Sequence, residues 1–170
     1  ILTNPNYVKA EGVLKDIDKF DPKFFGISEK DAKLMCPQQR LMLQHSWAAI
    51  NDAGYDLYTV GNSCGIYIGA SASNYMPPKT HDIELHHGNQ LQLELNLNKD
   101  YIANKIAYHL NIQGPSIMLQ SACASSLTAI HVACSSLNND ECDYALAGGV
   151  SINASGKFGY IYEKNGILSP

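Results

Sequence analysis

The chain has 170 residues, of which 45% are hydrophobic and 16% are charged, and this length and balance suit a single globular domain with a buried core. The net charge of −4, without a basic block, argues against nucleic-acid binding, and no apolar run reaches the roughly 18 residues of a membrane-spanning helix. The five cysteines include no CxxC pair, which argues against a disulfide framework or a zinc site and favours reduced thiols in a cytoplasmic protein.

The first half of the chain predicts two helices and a strand. Ser28 can cap one helix, and a longer helix is expected to begin at Pro37 and to stop near Gly54. Residues 65–69, which read GIYIG, form a short apolar run between glycines and predict a strand. Residues 74–98 are polar and irregular, so they predict a loop with at most a short helical piece.

The second half predicts two further helices and two further strands. The helices are expected over residues 100–110 and 124–138, and the strands over residues 116–120 and 144–152, the last broken by Gly148 and Gly149. Strands that alternate with helices indicate an α/β fold with a mostly parallel sheet and flanking helices.

The helix over residues 124–138 is predicted to dock on the sheet. Its large apolar side chains, Leu127, Ile130 and Leu137, are expected to be mostly buried. Truncating one of them to alanine would then cost about 2–5 kcal/mol of stability, as in other core positions.

Cys123 is the candidate nucleophile, because it lies between a predicted strand and the helix that follows it. Small residues flank it in the stretch SACASSL, so that a substrate can approach closely. A helix N-terminus presents unpaired N–H groups and a partial positive charge, which favour a thiolate and can help to hold an oxyanion. The alternative is a buried structural cysteine, a description that Cys134 and Cys142 fit better.

The stretch SACASSLTAIHVACSSL at residues 121–137 resembles the active-site motif of β-ketoacyl synthases (ketosynthases), TACSSSLVALHLACQSL. Other motifs of that family have counterparts in the same order: FDPKFFGIS at 20–28, PQQR at 37–40, WAAINDAG at 47–54, NIQGPS at 111–116, ECDYALAGGV at 141–150 and GYIYEKNGILSP at 159–170. These motifs are most similar to those of modular polyketide synthases, especially synthases that are mixed with peptide synthetases or that lack a built-in acyltransferase.

The resemblance implies a thiolase-like fold of two duplicated α/β halves, usually dimerised. Residues 1–170 would be a partial ketosynthase domain that lacks the first strand, which is central in the family's sheet, and the C-terminal half. The apolar faces of the strands at residues 64–70 and 144–152 would then lack neighbours. Dimerisation is expected through the strand at residues 116–120.

The resemblance also implies the chemistry. Cys123 would accept an acyl group from the phosphopantetheine arm of an acyl carrier protein, and a malonyl unit on a carrier protein would then lose CO2 and attack the thioester. No bound cofactor or metal is expected. His81, His86 and His87 form a cluster in a polar loop, which is best described as solvated rather than metal-binding.

Two histidine motifs that the family needs, one of them of HGTGT type, are absent from these residues. The six histidines do not match those contexts, and His131, in the helix after Cys123, is predicted to pack. Because the motifs are missing, three alternatives stay open beside the condensing enzyme: a non-elongating ketosynthase that only transfers acyl groups, a non-catalytic dimerisation or scaffold segment, and, more remotely, a Cys–His hydrolase.

Three local departures from the family pattern involve four positions. Cys36 stands where Asp is usual before PQQR, and because cysteine caps a helix poorly, it is expected to cost about 1 kcal/mol. Gln120 and Ser121 replace Asp-Thr before the nucleophile, and Ala124 replaces Ser after it. The changes at 121 and 124 exchange small residues, so the turn is expected to stay open.

Overall fold

The computed structural model describes residues 3–77, 90–154 and 159–170, so His81, His86 and His87 lie outside the described residues. Six α-helices are described: α1 (Glu29–Leu34), α2 (Pro37–Asp52), α3 (Leu57–Val60), α4 (Gln90–Leu97), α5 (Ile102–Leu110) and α6 (Ser125–Asn138). Five strands are described: β1 (Tyr7–Val8), β2 (Cys64–Ala70), β3 (Ser116–Leu119), β4 (Tyr144–Val150) and β5 (Tyr160–Ile161).

The main sheet has three strands in the order β3-β2-β4, and both pairings are parallel. β1 and β5 form a separate antiparallel ribbon. The connection from β3 to β4 runs through α6 and passes across β2, because parallel strands of one sheet need a crossover connection. The α/β class with a mostly parallel sheet and flanking helices is therefore confirmed.

Helices cover both faces of the sheet. On one face, Ile66 and Ile68 of β2 join the main core with residues of α2 and α5. On the other face, Tyr67 packs with Ala129 and Ala133 of α6 in a smaller core. Side chains of a strand point alternately to its two faces, so β2 contributes to both cores and all seven of its residues are buried.

The ends of the first two helices agree with the ends predicted from the sequence. Ser28 caps α1, since its hydroxyl accepts a hydrogen bond from the N–H of Asp31 at 3.0 Å. α2 begins at Pro37 after Cys36, whose side chain makes no capping hydrogen bond. Gly54 follows the end of α2 with a φ of +80°, a conformation that glycine adopts without steric cost.

Two predictions about the sheet are wrong. β4 is not broken at Gly148 and Gly149, because both continue the parallel pairing with β2. The apolar faces of β2 do not lack neighbours, because β2 is the middle strand of the three and all seven of its residues are buried. The short helical piece expected in the polar stretch before residue 98 is present as α4, an eight-residue helix.

The prediction that large side chains of α6 are buried is also wrong. Leu127, Ile130 and Leu137 are 69%, 48% and 37% exposed. The buried face consists of small residues instead: Ala129, Ala133 and Ser136. The helix lies close to the sheet, and only small side chains fit into the space between them.

Candidate active site

The three parallel strands end at the same edge of the sheet, and a cavity of about 480 Å³ lies there. Ala70 from the end of β2, Gln120 just after β3 and Val150 from the end of β4 line it, together with Cys123. Ligands of open α/β sheets bind at the carboxyl ends of the strands. Cys123 is exposed. The structure therefore puts the candidate nucleophile beside a space that a ligand can enter.

A tight elbow joins β3 to α6 and presents Cys123. Residues Ala122–Ala124 form a single 3-10 turn, and Ala122 has a φ of +51°, in the left-handed region. That conformation costs a residue with a Cβ about 1 kcal/mol. Such strain persists only where the surroundings hold it, and it is common at functional sites.

The hydroxyl of Ser125 holds the elbow closed. Its Oγ accepts a hydrogen bond from the N–H of Ser121 at 2.9 Å and donates one to the carbonyl oxygen of Ala122 at 2.8 Å. The Ser121 hydroxyl lies 2.6 Å from that of Thr128, one turn into α6. The elbow is thus fixed by hydrogen bonds on both sides of Cys123.

Gln120 and Ser121, two departures from the family pattern, both have a structural use. The Gln120 side-chain amide donates to the carbonyl oxygen of Ala70 at 2.8 Å and joins the ends of β3 and β2. Ser121 makes the contact with Thr128 just described. The Ser121 contact is compatible with the expectation that the change at 121 keeps the turn open.

Two glycines let the elbow approach the sheet. A Cβ at Gly69 would lie 2.5 Å from the Cβ of Ser125, and a Cβ at Gly149 would lie 2.8 Å from that of Ser126. The two glycines are partners in the β2–β4 register. Sequence reasoning missed this role, although a glycine inside a strand does indicate a close approach of another backbone.

Comparison with known proteins identifies the family to which the chain belongs. A profile described as "Beta-ketoacyl synthase, N-terminal domain" matches residues 1–170. The chain belongs to the β-ketoacyl synthase family.

The relatives are modular polyketide synthases. Polyketide synthase PksL of Bacillus subtilis is 44% identical over 152 residues, which cover 86% of this chain and 3% of that protein. Polyketide synthase ThaG of Burkholderia thailandensis is 41% identical over 148 residues, with 86% and 3% covered. The chain thus spans a small part of the relatives' length.

Solved ketosynthases share the fold. The chain superposes on ketosynthase twelve of the bacillaene polyketide synthase of Bacillus amyloliquefaciens with a TM-score of 0.87 and 34% identity, covering 99% of this chain and 29% of that one. The ketosynthase from module 1 of the same species' bacillaene synthase gives a TM-score of 0.75 and 33% identity, with 95% and 29% covered. The thiolase-like fold that the resemblance implied is therefore confirmed.

The five thiols of this ketosynthase chain differ in access. Cys36, Cys64 and Cys142 are buried, whereas Cys123 and Cys134 are exposed. Burial raises the pKa of Cys64 to about 11, and the nearby Cys142 thiol adds to this effect. The prediction that Cys142 is buried is confirmed, whereas that for Cys134 is wrong, because Cys134 lies on the outer side of α6.

The described histidines lie away from the cavity. His109 is half-buried on α5, where burial and the nearby Lys105 ammonium lower its pKa. His45 lines a different groove, of about 390 Å³, between α2 and β4. His131 is exposed on α6, so the prediction that it packs is wrong.

Potential metal ligands do not cluster in the part of the chain that the structure describes. There, no group of three or more His, Cys, Asp or Glu side chains is placed to hold a metal ion. Over the same residues, no helix has the length and apolar character to cross a membrane.

Proposed function

We propose that Cys123 is the acyl-accepting nucleophile of a polyketide-type ketosynthase. The observation that carries the proposal is its place: an exposed thiol on a strained elbow, at the carboxyl ends of three parallel strands and beside a cavity of about 480 Å³. Three of the four other thiols are buried. The fourth, Cys134, is exposed but does not line the cavity.

In the proposed loading step, the Cys123 sulfur attacks the carbonyl carbon of an acyl thioester on the phosphopantetheine arm of a carrier protein. A new carbon–sulfur bond forms, the bond to the pantetheine sulfur breaks, and the pantetheine thiol leaves with the proton. Splitting the transfer into two steps of this kind is the advantage of covalent catalysis.

The oxyanion that forms in this step needs N–H donors. The N–H groups of Ala124 and Ser125 are already used, because they donate to the carbonyl oxygens of Ser121 and Ala122, so we propose that the donors are other N–H groups around the elbow or groups from outside the described residues. N–H groups aimed at a developing negative charge stabilise a tetrahedral intermediate.

Condensation is the second proposed step. A malonyl group on a carrier protein loses CO2, the resulting carbanion attacks the acyl–Cys123 carbonyl, and the β-ketoacyl product leaves while the Cys123 thiol is restored. No described residue that lines the cavity is a histidine. We therefore propose that the groups that assist decarboxylation come from outside the described residues, and that residues 1–170 form part of a larger ketosynthase domain.

We further propose that this domain acts in the cytoplasm as a homodimer formed through β3. β3 is an edge strand of the described sheet, and Ile117 on it is 39% exposed. An edge strand can pair with its copy across a twofold axis. A monomeric domain at micromolar concentration, measured by light scattering, would contradict this.

The test of the nucleophile uses the natural polypeptide that carries this chain. It is incubated with an acyl carrier protein bearing an acyl thioester, and the adduct is located by peptide mass. We expect the adduct on Cys123, its loss in Cys123→Ala, and normal loading in the matched control Cys134→Ala, which removes the other exposed thiol. An adduct mainly on Cys134 would overturn the proposal.

Release of CO2 from a malonyl carrier protein then separates the alternatives. Loading with CO2 release indicates a condensing enzyme, and loading without it indicates the non-elongating alternative. Absence of both indicates a scaffold segment. The 170-residue chain by itself is expected to load slowly and to release no CO2.

A further inference from the structure

A buried glutamine on α2 connects two of the strand ends that form the cavity. Gln38 is 1% exposed. Its side-chain N–H donates to the carbonyl oxygen of Ser71 at 3.0 Å. Its Oε1 accepts from the Ser71 hydroxyl at 3.0 Å and from the backbone N–H of Ile152 at 2.9 Å. The two ordinary acceptor positions of a carbonyl oxygen are thus both used.

These hydrogen bonds hold the chain just beyond the sheet. β2 ends at Ala70 and β4 at Val150, and the N–H of Ser71 still bonds the carbonyl oxygen of Val150 at 3.2 Å. Gln38 supplies the next connection, between Ser71 and Ile152. Ser71, Val150 and Ser151 line the cavity, whereas Gln38 does not. Gln38 therefore acts on the cavity only through the segments that it fixes.

Within the described residues, no hydrogen bond of Gln38 reaches the elbow that carries Cys123. The elbow is held by Ser125, through its bonds to Ser121 and Ala122. Loss of the Gln38 contacts is therefore expected to loosen one wall of the cavity while the thiol keeps its position. Because the cavity wall and the thiol are held by different hydrogen bonds, a change at Gln38 can be measured as a loss of acylation without a loss of thiol reactivity.

We propose that Gln38 is a positioning residue, which fixes the ends of β2 and β4 so that the acyl part of the thioester is held beside Cys123. The proposal deepens the proposed function and rests on it. Misplacing a bound group by about 1 Å is enough to slow a reaction many-fold, because the reacting atoms must meet in a narrow range of geometries.

Gln39 provides a matched control within the same motif. It is also 1% exposed, but its side-chain N–H donates to the carbonyl oxygens of Leu95 and Asn98, near the end of α4. Gln38→Met and Gln39→Met each remove a buried amide of similar size. Only the first of them releases residues that line the cavity.

The experiment measures two reactions of Cys123 in the natural polypeptide that carries this chain. The first is acylation by an octanoyl pantetheine thioester, measured from low to saturating concentration. The second is alkylation by iodoacetamide, a small reagent that needs no binding wall. Both rates are corrected for the folded fraction. For Gln38→Met we expect acylation to slow by about tenfold, mainly through a higher half-saturating concentration, with alkylation within about twofold of wild type.

Gln39→Met is expected to leave both rates within about twofold of wild type. Ser71→Ala, which removes one of the three hydrogen bonds, replaces Gln38→Met if that variant does not fold, and it is expected to slow acylation by about threefold. Acylation at the wild-type rate in the variant measured, or an equal loss of acylation and alkylation, would overturn the role of Gln38. A wild-type chain that is alkylated but never acylated would instead refute the proposed function itself.

Discussion

Replacing Gly69 with alanine tests how closely α6 must approach the sheet. The added Cβ would lie 2.5 Å from the Cβ of Ser125 and 2.9 Å from its carbonyl carbon. Carbon atoms in contact are normally about 3.5–4.0 Å apart. Ser125 must therefore move by about 1 Å, and because one of the clashing atoms is backbone, a rotamer change cannot relieve the clash. Overpacking of this kind costs about 1–3 kcal/mol of stability.

The same displacement reaches Cys123, the proposed nucleophile. The Ser125 hydroxyl bonds both Ser121 and Ala122, so a shift of Ser125 moves the elbow or breaks these bonds. We expect acylation of Cys123 in Gly69→Ala to fall by about one hundredfold, the loss that follows a 1 Å misplacement of a reacting group. Unlike the change at Gln38, this substitution is expected to alter alkylation by iodoacetamide as well.

Gly148→Ala is the control. Its added Cβ would meet only the Cε of Met42, at 3.7 Å, an ordinary contact with the end of a flexible side chain. Its effect on stability is expected to be neutral or favourable by about 0.4–1 kcal/mol, because alanine restricts the unfolded chain. Urea unfolding followed by circular dichroism gives the free energies, and peptide mass gives the acylation rates. Equal stability and equal acylation in the two variants would refute the reasoning.

Two further predictions concern stability. Leu127→Ser, on the exposed side of α6, is expected to lower the free energy of unfolding by less than about 1 kcal/mol, whereas Ala133→Leu, on the buried side, is expected to lower it by about 1–3 kcal/mol. If urea unfolding shows that Leu127→Ser is the more destabilising change, the two faces of α6 are misassigned. Because burial raises the pKa of Cys64 from 9.0 to about 11, the unfolded chain loses this proton at lower pH than the folded chain does. Stability is therefore expected to fall between pH 9 and 11, by on the order of 2 kcal/mol, and to fall less in Cys64→Val; parallel pH profiles of the two proteins would contradict this.

The sequence predicts those parts of the fold that depend on neighbouring residues. The cap at Ser28, the helix start at Pro37 and the stop at Gly54 are local, and so is the strand–turn–helix around Cys123. A break in the strand at residues 148–149 is the local expectation, because glycine lowers strand propensity, but parallel pairing with β2 outweighs that preference.

Features that depend on distant contacts could not be predicted. The large side chains of α6 suggest a buried face, but the space above Tyr67 and Gly69 admits only Ala129 and Ala133. The hydrophobicity of the side chains on α6 does not indicate how close the helix lies to the sheet. Gln38 and Ile152 are 114 positions apart in the chain, and no local pattern connects a glutamine on a helix with the end of a strand.

The geometry of the elbow also determines which positions are free to vary as such a chain evolves. A β-branched residue at 122 would be strained at a φ of +51°, and any side chain at 69 or 149 would collide with α6. Val150 and Ser151 also line the cavity, and neither has a positive φ. Descendants of this sequence can therefore change the shape of the cavity while the geometry around Cys123, the proposed nucleophile, is inherited unchanged.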